Sequence, residues 1–233
     1  MMKIRRRRRG YLGAVLAVII VALSVAAIFG YILDRRVRTS PEYTAVTVSY
    51  LFKHDDDYAY VYIDSSKEMI RILYLRRYLY DPNTGLAVTG ERREDLEFFD
   101  EVFHLAPSHE YYLKLDGDNL SRFSRALLGR CAKDLKELIR GLRMRKKSFL
   151  DSFRVDSIAA SFKLFSNLNG PSLLKLLDSL ADFGDTDTEE AETFPKYPVK
   201  ITVGRGEKEV FYRLYLPKEE RKRILEFLGV GGS

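Results

Sequence analysis

The feature that most constrains this chain is an uncharged run of 24 residues near the N-terminus, positions 10–33. At 1.5 Å per residue, a helix of this length crosses a hydrocarbon core of about 30 Å with some tilt. Six basic residues lie between positions 3 and 9, and three follow the run between positions 35 and 38. The positive-inside rule therefore predicts a basic cytoplasmic tail over residues 1–10 and a transmembrane helix over residues 11–33.

This orientation places the rest of the chain outside the cytoplasm. Ser24-Val-Ala26 loosely resembles the small-residue site of a cleaved signal peptide, so a cleavable signal is the alternative interpretation. The apolar run is long for the core of a signal peptide, which favours an uncleaved anchor. We therefore expect a single-pass protein of the cell membrane with an extracytoplasmic main domain.

The charge distribution argues against a nucleic-acid partner. The chain of 233 residues has a net charge of +6, and six basic residues of the N-terminal flank account for it. The other 33 basic residues are matched by 33 acidic ones, so the exported part is neutral. The only cysteine, Cys131, excludes an internal disulfide, and we expect its side chain to be buried on a helix.

The stretch that contains the main candidate functional residues is a predicted β-hairpin. Residues 58–63 and 69–75 are rich in aromatic and β-branched residues, and the turn formers of residues 64–68 join them. Because the two strands run antiparallel, the aspartates at positions 55–57 and the arginines at positions 76–77 lie at the same edge of the sheet. Converging carboxylate and guanidinium groups predict a site for a metal ion and a phosphate, although a triple aspartate also occurs as a solvated turn.

Strand and helix patterns alternate along the remainder of the chain. A nearly continuous apolar run over residues 45–52 predicts an internal strand. The further predicted elements are a helix over 91–103, a strand over 111–115, helices over 120–128 and 132–142, helical stripes over 155–168 and 173–180, and a terminal hairpin with a helix after Pro217. Three histidines without metal spacing and the absence of a serine-nucleophile motif support no other class of enzyme.

The hairpin resembles the start of the LytR–CpsA–Psr family, membrane-anchored enzymes that move glycopolymers from polyprenyl-pyrophosphate carriers onto the bacterial cell wall. Asp56 falls on the aspartate that opens the family's strand, and Asp64 falls on its turn aspartate. Residues 74–78 fall on the family's Ser-Ile-Pro-Arg-Asp segment, in which the arginine is kept as Arg77. The final aspartate of that segment is replaced by Tyr78.

A second match strengthens the resemblance. Tyr111-Tyr-Leu-Lys-Leu-Asp116 leads into a helix that ends at Gly129, as a Tyr-Tyr strand does in the family. The likeness covers about residues 45–180 and is firm to about residue 129. The chain departs from the family where Arg76 replaces a proline, where the loop at residues 53–55 is shortened, and where an Arg-x-Arg strand has no counterpart.

The resemblance implies an α/β fold, in which a mixed sheet is flanked by helices on both faces as an α-β-α sandwich. It implies binding of a polyprenyl-(pyro)phosphate-linked glycopolymer and transfer of that polymer to the cell wall, with peptidoglycan as the acceptor. In this interpretation Arg77 and Asp56 are catalytic, Arg76 and Arg77 bind phosphate, and Asp56 and Asp57 hold Mg²⁺.

Two later segments have alternative interpretations. The basic segment over residues 140–147 is either a solvated helix face or a second group of phosphate ligands, for which Arg143 and Arg145 are the candidates. The apolar stripes over 155–168 and 173–180 either line a tunnel for the polyprenyl tail, as the resemblance implies, or pack in an ordinary core.

The expected domain organisation follows the composition of the chain. An extracytoplasmic domain spans residues 40–182, an acidic linker spans 183–198, and a hairpin with a helix spans 199–233. The hairpin either rejoins the main sheet or forms a small appendage that binds partners. The departures at the hairpin end leave a rival to the enzyme: a non-catalytic envelope scaffold or assembly protein that keeps the fold without the chemistry.

Overall fold

A five-stranded mixed sheet with the order β5-β1-β2-β3-β6 forms the centre of the protein. The computed structural model describes residues 3–148, 150–203 and 207–229, with side chains described over 14–148, 150–194 and 213–229. The strands of this sheet are β1 (Thr47–His54), β2 (Asp57–Asp64), β3 (Met69–Arg76), β5 (His109–Lys114) and β6 (Asp185–Glu190). A second sheet has the order β4-β8-β7, from β4 (Leu79–Tyr80), β7 (Phe194–Val203) and β8 (Glu207–Tyr215).

The pairing directions bring four strand ends to one edge. β2 pairs antiparallel with both β1 and β3, whereas β5 runs parallel to β1 and β6 runs parallel to β3. The C-terminal ends of β1, β3, β5 and β6 therefore meet where β2 begins, and we call this the carboxyl edge of the sheet. It is marked by His54, Asp57, Arg76, Lys114 and Glu190.

Helices cover both faces of the main sheet. The helices are α1 (Lys3–Arg38), α2 (Pro41–Thr44), α3 (Arg92–Phe103), α4 (Asn119–Leu128), α5 (Leu135–Arg143), α6 (Asp151–Ser161), α7 (Gly170–Asp182) and α8 (Lys218–Leu228). Apolar residues of α4 to α7 form one core with Val61 and Ile72, and those of α3 and α8 form a second core with Tyr60 and Leu73. The predicted mixed sheet flanked by helices is confirmed.

Alternation along each strand explains the two cores. In β2, Tyr58 and Tyr60 belong to the core under α3, while Ala59 and Val61 belong to the core under α4 to α7. β1 is buried from Val48 to Lys53, as its nearly continuous apolar sequence predicts for a strand covered on both faces.

The N-terminal helix α1 continues beyond its apolar part into the folded domain. An 18-residue window of the segment Ala14–Arg38 has a mean hydropathy of 2.8, and the segment is long and apolar enough to cross a membrane by length and composition. Its last turns pack against the domain: Val37 is buried, and Arg38 Nη1 donates to Asp178 Oδ2 at 2.6 Å. The domain is therefore joined to α1 by direct contacts.

The acidic segment expected to be a linker is instead a strand for much of its length. Residues 185–190 form β6, which pairs with β3 at the edge of the sheet, and β7 begins at Phe194. An edge strand is held by backbone hydrogen bonds and tolerates charged side chains, so its sequence carries no apolar pattern. Only one residue of β6, Thr186, is buried.

The C-terminal hairpin rejoins the body of the protein through the second sheet. β8 pairs with β7 and with β4, and Leu216, Ile224 and Leu228 enter the core that contains α3. The Gly-Arg-Gly turn between the two hairpin strands lies outside the described residues.

Two local predictions were wrong. Cys131 is exposed in the connection before α5, because that helix begins at Leu135 with Asp134 as its N-cap rather than at residue 132. The stripe over 155–168 is helical only to Ser161, and its later apolar residues follow the helix as turns that still reach the core.

A carboxyl pair between α3 and β5 makes stability depend on pH. Partial burial and the neighbouring Asp100 raise the pKa of Glu110 from 4.5 to about 7. Since the folded state retains the Glu110 proton over a range where the unfolded state has lost it, the free energy of unfolding should fall as pH rises from about 4.5 to about 7.

Replacing Glu110 with glutamine removes this charge with little change of shape. We expect Glu110→Gln to raise the free energy of unfolding by about 1 kcal/mol at pH 8 and to leave it nearly unchanged at pH 4, a modest value because the site is half exposed. Denaturant unfolding of both proteins in detergent at the two pH values measures the difference. An equal effect at pH 4 and pH 8 would contradict this account.

Candidate functional site

Two acidic–basic pairs lie at the carboxyl edge, where the sequence predicts them. Asp57 stands opposite Arg76 in the strand register, with Arg76 Nε 4.0 Å from Asp57 Oδ1. Arg77 Nη1 lies 3.7 Å from Asp56 Oδ1, and the Arg77 amide donates to the Asp56 carbonyl at 2.8 Å. Both ion pairs are long and exposed, so each contributes little to stability and leaves its guanidinium open to a stronger anionic partner.

Neighbouring groups fix the Arg77 guanidinium on one side. Its Nε donates to the Thr89 carbonyl at 2.8 Å, and its Cζ lies 4.8 Å from the centre of the Tyr78 ring. Gly90, with φ +103°, closes the same side, since a Cβ there would lie 3.2 Å from Arg77 Nε. Arg77 is therefore an oriented cation with 35% of its side chain exposed.

A buried carboxylate that sequence reasoning missed holds this loop in place. Asp95, in the first turn of α3, accepts hydrogen bonds from the Thr89 amide at 2.8 Å and the Gly90 amide at 3.0 Å. Burial raises the pKa of Asp95, although these two hydrogen bonds oppose the rise. The sequence signal was a Thr-Gly pair followed by acidic residues at a helix start, which is typical of a capping arrangement.

A second missed pair ties the aspartate turn to the sheet. Lys53 is buried, and its Nζ donates to Asp116 at 2.7 and 2.9 Å. Asp116 also accepts the Asp55 amide at 2.8 Å. Partial burial raises the pKa of Asp116, but the hydrogen bonds from Lys53 and Asp55 outweigh this and hold the pKa below its ordinary value. Asp116 thus links the ends of β1 and β5 to the turn that precedes Asp56.

A groove opens beside the Asp57–Arg76 pair. A cavity of about 540 Å³ is lined by Asp57, Arg76 and Tyr74, and by Lys136 from the first turn of α5. A second cavity of about 420 Å³ shares Tyr74 and Lys136 with the first and extends along α5 to Arg143. We call the two together the α5 groove. Lys136 crosses it to Glu190 at 2.6 Å.

The structure separates the two predicted phosphate ligands of the basic segment. Arg143 lines the α5 groove. Arg145 instead forms a bidentate ion pair with the buried Asp151, with Nη1 2.8 Å from Oδ2, and its Nε donates to the Leu127 carbonyl at 3.1 Å. The geometry therefore gives Arg145 a structural role in joining α4, α5 and α6.

The carboxylates at the carboxyl edge are the candidate ligands of the predicted Mg²⁺. Among the described residues, no group of three or more His, Cys, Asp or Glu side chains is arranged to hold a metal ion. Mg²⁺ commonly takes one or two protein carboxylates and completes its shell with phosphate oxygens and water. Asp56 and Asp57 are adjacent in the sequence and exposed, and each lies near a different arginine, so the Mg²⁺ site stays a prediction.

The late helices pack as a core. Their apolar stripes face the sheet and one another; the buried members are Val155, Ala159, Phe162, Leu168, Leu173, Leu174, Leu176, Leu177 and Leu180. These positions fill the space under the sheet, which agrees with the core-packing interpretation of the stripes.

Comparison with known proteins finds similarity at the level of structure only. No family model matches the chain, and no curated protein matches its sequence. Among solved structures, the Lin1025 protein of Listeria innocua is 10% identical with a TM-score of 0.50, over 82% of this chain and 100% of that one. This likeness shows a shared fold.

Two other similar structures carry names from the family that the hairpin resembles. The LytR-CPS2A-psr family protein YwtF (TagT) with bound octaprenyl pyrophosphate lipid is 12% identical with a TM-score of 0.48, over 80% of this chain and 90% of that one. TagT bound to LIIa-WTA is 13% identical with a TM-score of 0.46, over 81% and 91%.

The different environments of Arg143 and Arg145 predict different effects on stability. Arg145→Met leaves Asp151 buried without its partner and should lower the free energy of unfolding by about 3 kcal/mol. Arg143→Met removes an exposed charge and should change it by less than about 0.5 kcal/mol. Urea unfolding of both variants in detergent, followed by circular dichroism, tests the contrast. Similar losses in the two variants would show that Arg145 has no special structural role.

Proposed function

We propose that this chain is a membrane-anchored extracytoplasmic protein that binds a polyprenyl-(pyro)phosphate-linked glycopolymer and transfers it to the peptidoglycan of the cell wall. The observation that carries the proposal is the convergence of Asp56 with Arg77 and of Asp57 with Arg76 at the carboxyl edge. Asp56 and Arg77, which match the family's motif, form the shorter of the two ion pairs. Helix α1 supplies an apolar segment of membrane-spanning length.

Arg77 is the central phosphate ligand in this proposal. Its Nε is engaged by Thr89, so Nη1, which lies 3.7 Å from Asp56, is the group that turns to an incoming phosphate oxygen. A phosphate dianion outcompetes a long, solvated carboxylate contact because it offers shorter, charge-assisted hydrogen bonds. Arg76, one residue away at the α5 groove, adds a second positive charge.

Transfer requires stabilisation of the leaving phosphate and removal of a proton from the acceptor hydroxyl. Arg77 and Arg76 stabilise the negative charge that develops as the carrier phosphate leaves. Asp56, freed from Arg77 by the phosphate, is the carboxylate that would accept the proton of the acceptor hydroxyl. A Mg²⁺ held by Asp56 and Asp57 would supply further neutralisation of phosphate charge. Arg143 extends the positive lining along the α5 groove toward more distant parts of the polymer.

A non-catalytic envelope scaffold is the second candidate, and two observations favour it. The stripes of α6 and α7, which the resemblance assigns to a lipid tunnel, are packed in the core. Tyr78 stands where the family has an aspartate, and its ring lies against Arg77. A scaffold of this kind would keep the fold and bind no carrier lipid.

Mass spectrometry of co-purifying lipid separates the two candidates. The protein is extracted in detergent as wild type, Arg77→Ala, Arg77→Lys and the exposed control Arg93→Ala, and thermal unfolding confirms that each is folded. We expect a polyprenyl phosphate or pyrophosphate with the wild type and Arg93→Ala, and a loss of at least about ten-fold in Arg77→Ala, since a lost charged hydrogen bond is worth about 1.5–3 kcal/mol. Arg77→Lys keeps the positive charge but loses the paired N–H donors of the guanidinium, so we expect an amount of bound lipid between those of the wild type and Arg77→Ala.

Two outcomes would count against the carrier site. Absence of polyprenyl lipid from folded wild-type protein would favour the scaffold. Equal lipid in the wild type and Arg77→Ala would show that any carrier binds elsewhere.

The orientation of Arg77 has its own test. Gly90→Ala and Gly85→Ala both place a Cβ on a backbone with positive φ, but only the Cβ at position 90 reaches the Arg77 guanidinium. We expect both variants to lose about 1 kcal/mol of stability from backbone strain and only Gly90→Ala to lose bound carrier lipid. The same lipid analysis measures this, and parallel loss of lipid in both variants would contradict the role of Gly90.

A further inference from the structure

The contacts of α1 set the height of the domain above the membrane. A Cβ on Gly30 would lie 3.0 Å from Phe153 Cζ, so α6 begins against the last apolar turn of α1. One turn later, Ser152 donates a hydrogen bond to Asp34. The uncharged run of 24 residues is about 36 Å long as a helix, slightly more than a hydrocarbon core of about 30 Å. Gly30 and Asp34, and the start of α6 with them, therefore lie at the level of the lipid headgroups.

The segment that leads into α6, and so into this contact with α1, exposes apolar side chains. We call residues 144–148 together with Leu150 the basic loop. Met144 is 77% exposed and Leu150, two residues before Ser152, is 51% exposed. Large apolar side chains that face water at a position next to a membrane-spanning helix are typical of groups that insert at the lipid interface.

Ion pairs hold the basic loop in this position. Arg145 is bound to Asp151 in the first turn of α6. Lys147 binds Asp182 and lies 3.7 Å from Asp178, which also pairs with Arg38 at the end of α1. The loop is thus tied to the same helices that contact α1, and its apolar side chains are presented from a fixed base.

Exposed basic residues surround the apolar ones. Lys146 of the loop and Arg35 and Arg36 of α1 are exposed, and none of the three forms an ion pair within the described part of the chain. Basic residues next to exposed apolar groups complement a surface of anionic phospholipid.

We propose that the basic loop is a membrane-contact surface, in which Met144 and Leu150 insert among the headgroups of anionic phospholipids of the bilayer that α1 spans. The contact would fix the domain on the bilayer at two points, α1 and the loop. This inference rests on the membrane anchor of the proposed function, and it is independent of the carrier site.

Lipid quenching of a fluorophore tests the contact in the full chain. Met144→Cys, in a Cys131→Ser background, is labelled with an environment-sensitive fluorophore and reconstituted into nanodiscs of phosphatidylcholine and phosphatidylglycerol that contain a brominated lipid. The matched control is Leu164→Cys, beyond the other end of α6, where the native side chain is 92% exposed. We expect quenching at position 144 to exceed quenching at position 164 by about two-fold or more.

The charge dependence gives a second readout. Lys146→Glu on the Met144→Cys background should reduce the quenching, and the reduction should be smaller in nanodiscs of phosphatidylcholine alone, since zwitterionic lipid attracts the lysine less.

Equal quenching at positions 144 and 164 in incorporated protein would overturn the contact surface and leave the carrier site unaffected. Failure of the chain to incorporate into nanodiscs would overturn the anchor and the contact surface, and would leave the carrier site to be tested by the lipid analysis in detergent.

Discussion

The register of the β2–β3 pairing is the constraint on which the site depends. Eight residue pairs run without a shift from Asp57 opposite Arg76 to Asp64 opposite Met69. A slip of one residue would move Tyr58 and its neighbours to the wrong core and would part the acidic and basic residues at the strand ends. Burial of both faces of these strands therefore fixes the charge pairs at the carboxyl edge as firmly as it fixes the cores.

A buried polar layer supports the exposed pairs. Asp95 holds the amides of Thr89 and Gly90, and the carbonyl of Thr89 holds Arg77. Lys53, through Asp116, holds the turn that carries Asp56. The exposed charged side chains thus take their orientation from buried polar groups, which is the arrangement expected of a preorganised anion site. The same strand ends of α/β sheets are where ligands generally bind.

The sequence predicted the parts of the fold that depend on local pattern. The hairpin, the amphipathic helices and the long apolar helix follow from periodicity and turn residues, and the meeting of Asp56 with Arg77 follows from antiparallel pairing. Strand β6 was not predicted, because an edge strand needs no apolar side chains. The roles of Asp95 and Lys53 were not predicted, because their partners are brought near only by the folded sheet and its loops. Arg143 and Arg145 have different roles because only Arg145 contacts Asp151.

The most direct test of the central claim is a crystal structure of the protein with a short-chain prenyl pyrophosphate. We predict pyrophosphate oxygens within about 3 Å of the Arg77 guanidinium, with the Asp56 carboxylate displaced from Nη1 and Arg76 turned toward the ligand. Pyrophosphate bound at another place on the protein, or an unchanged Asp56–Arg77 pair at a saturating concentration of the ligand, would contradict the assignment of the carboxyl edge as the carrier site.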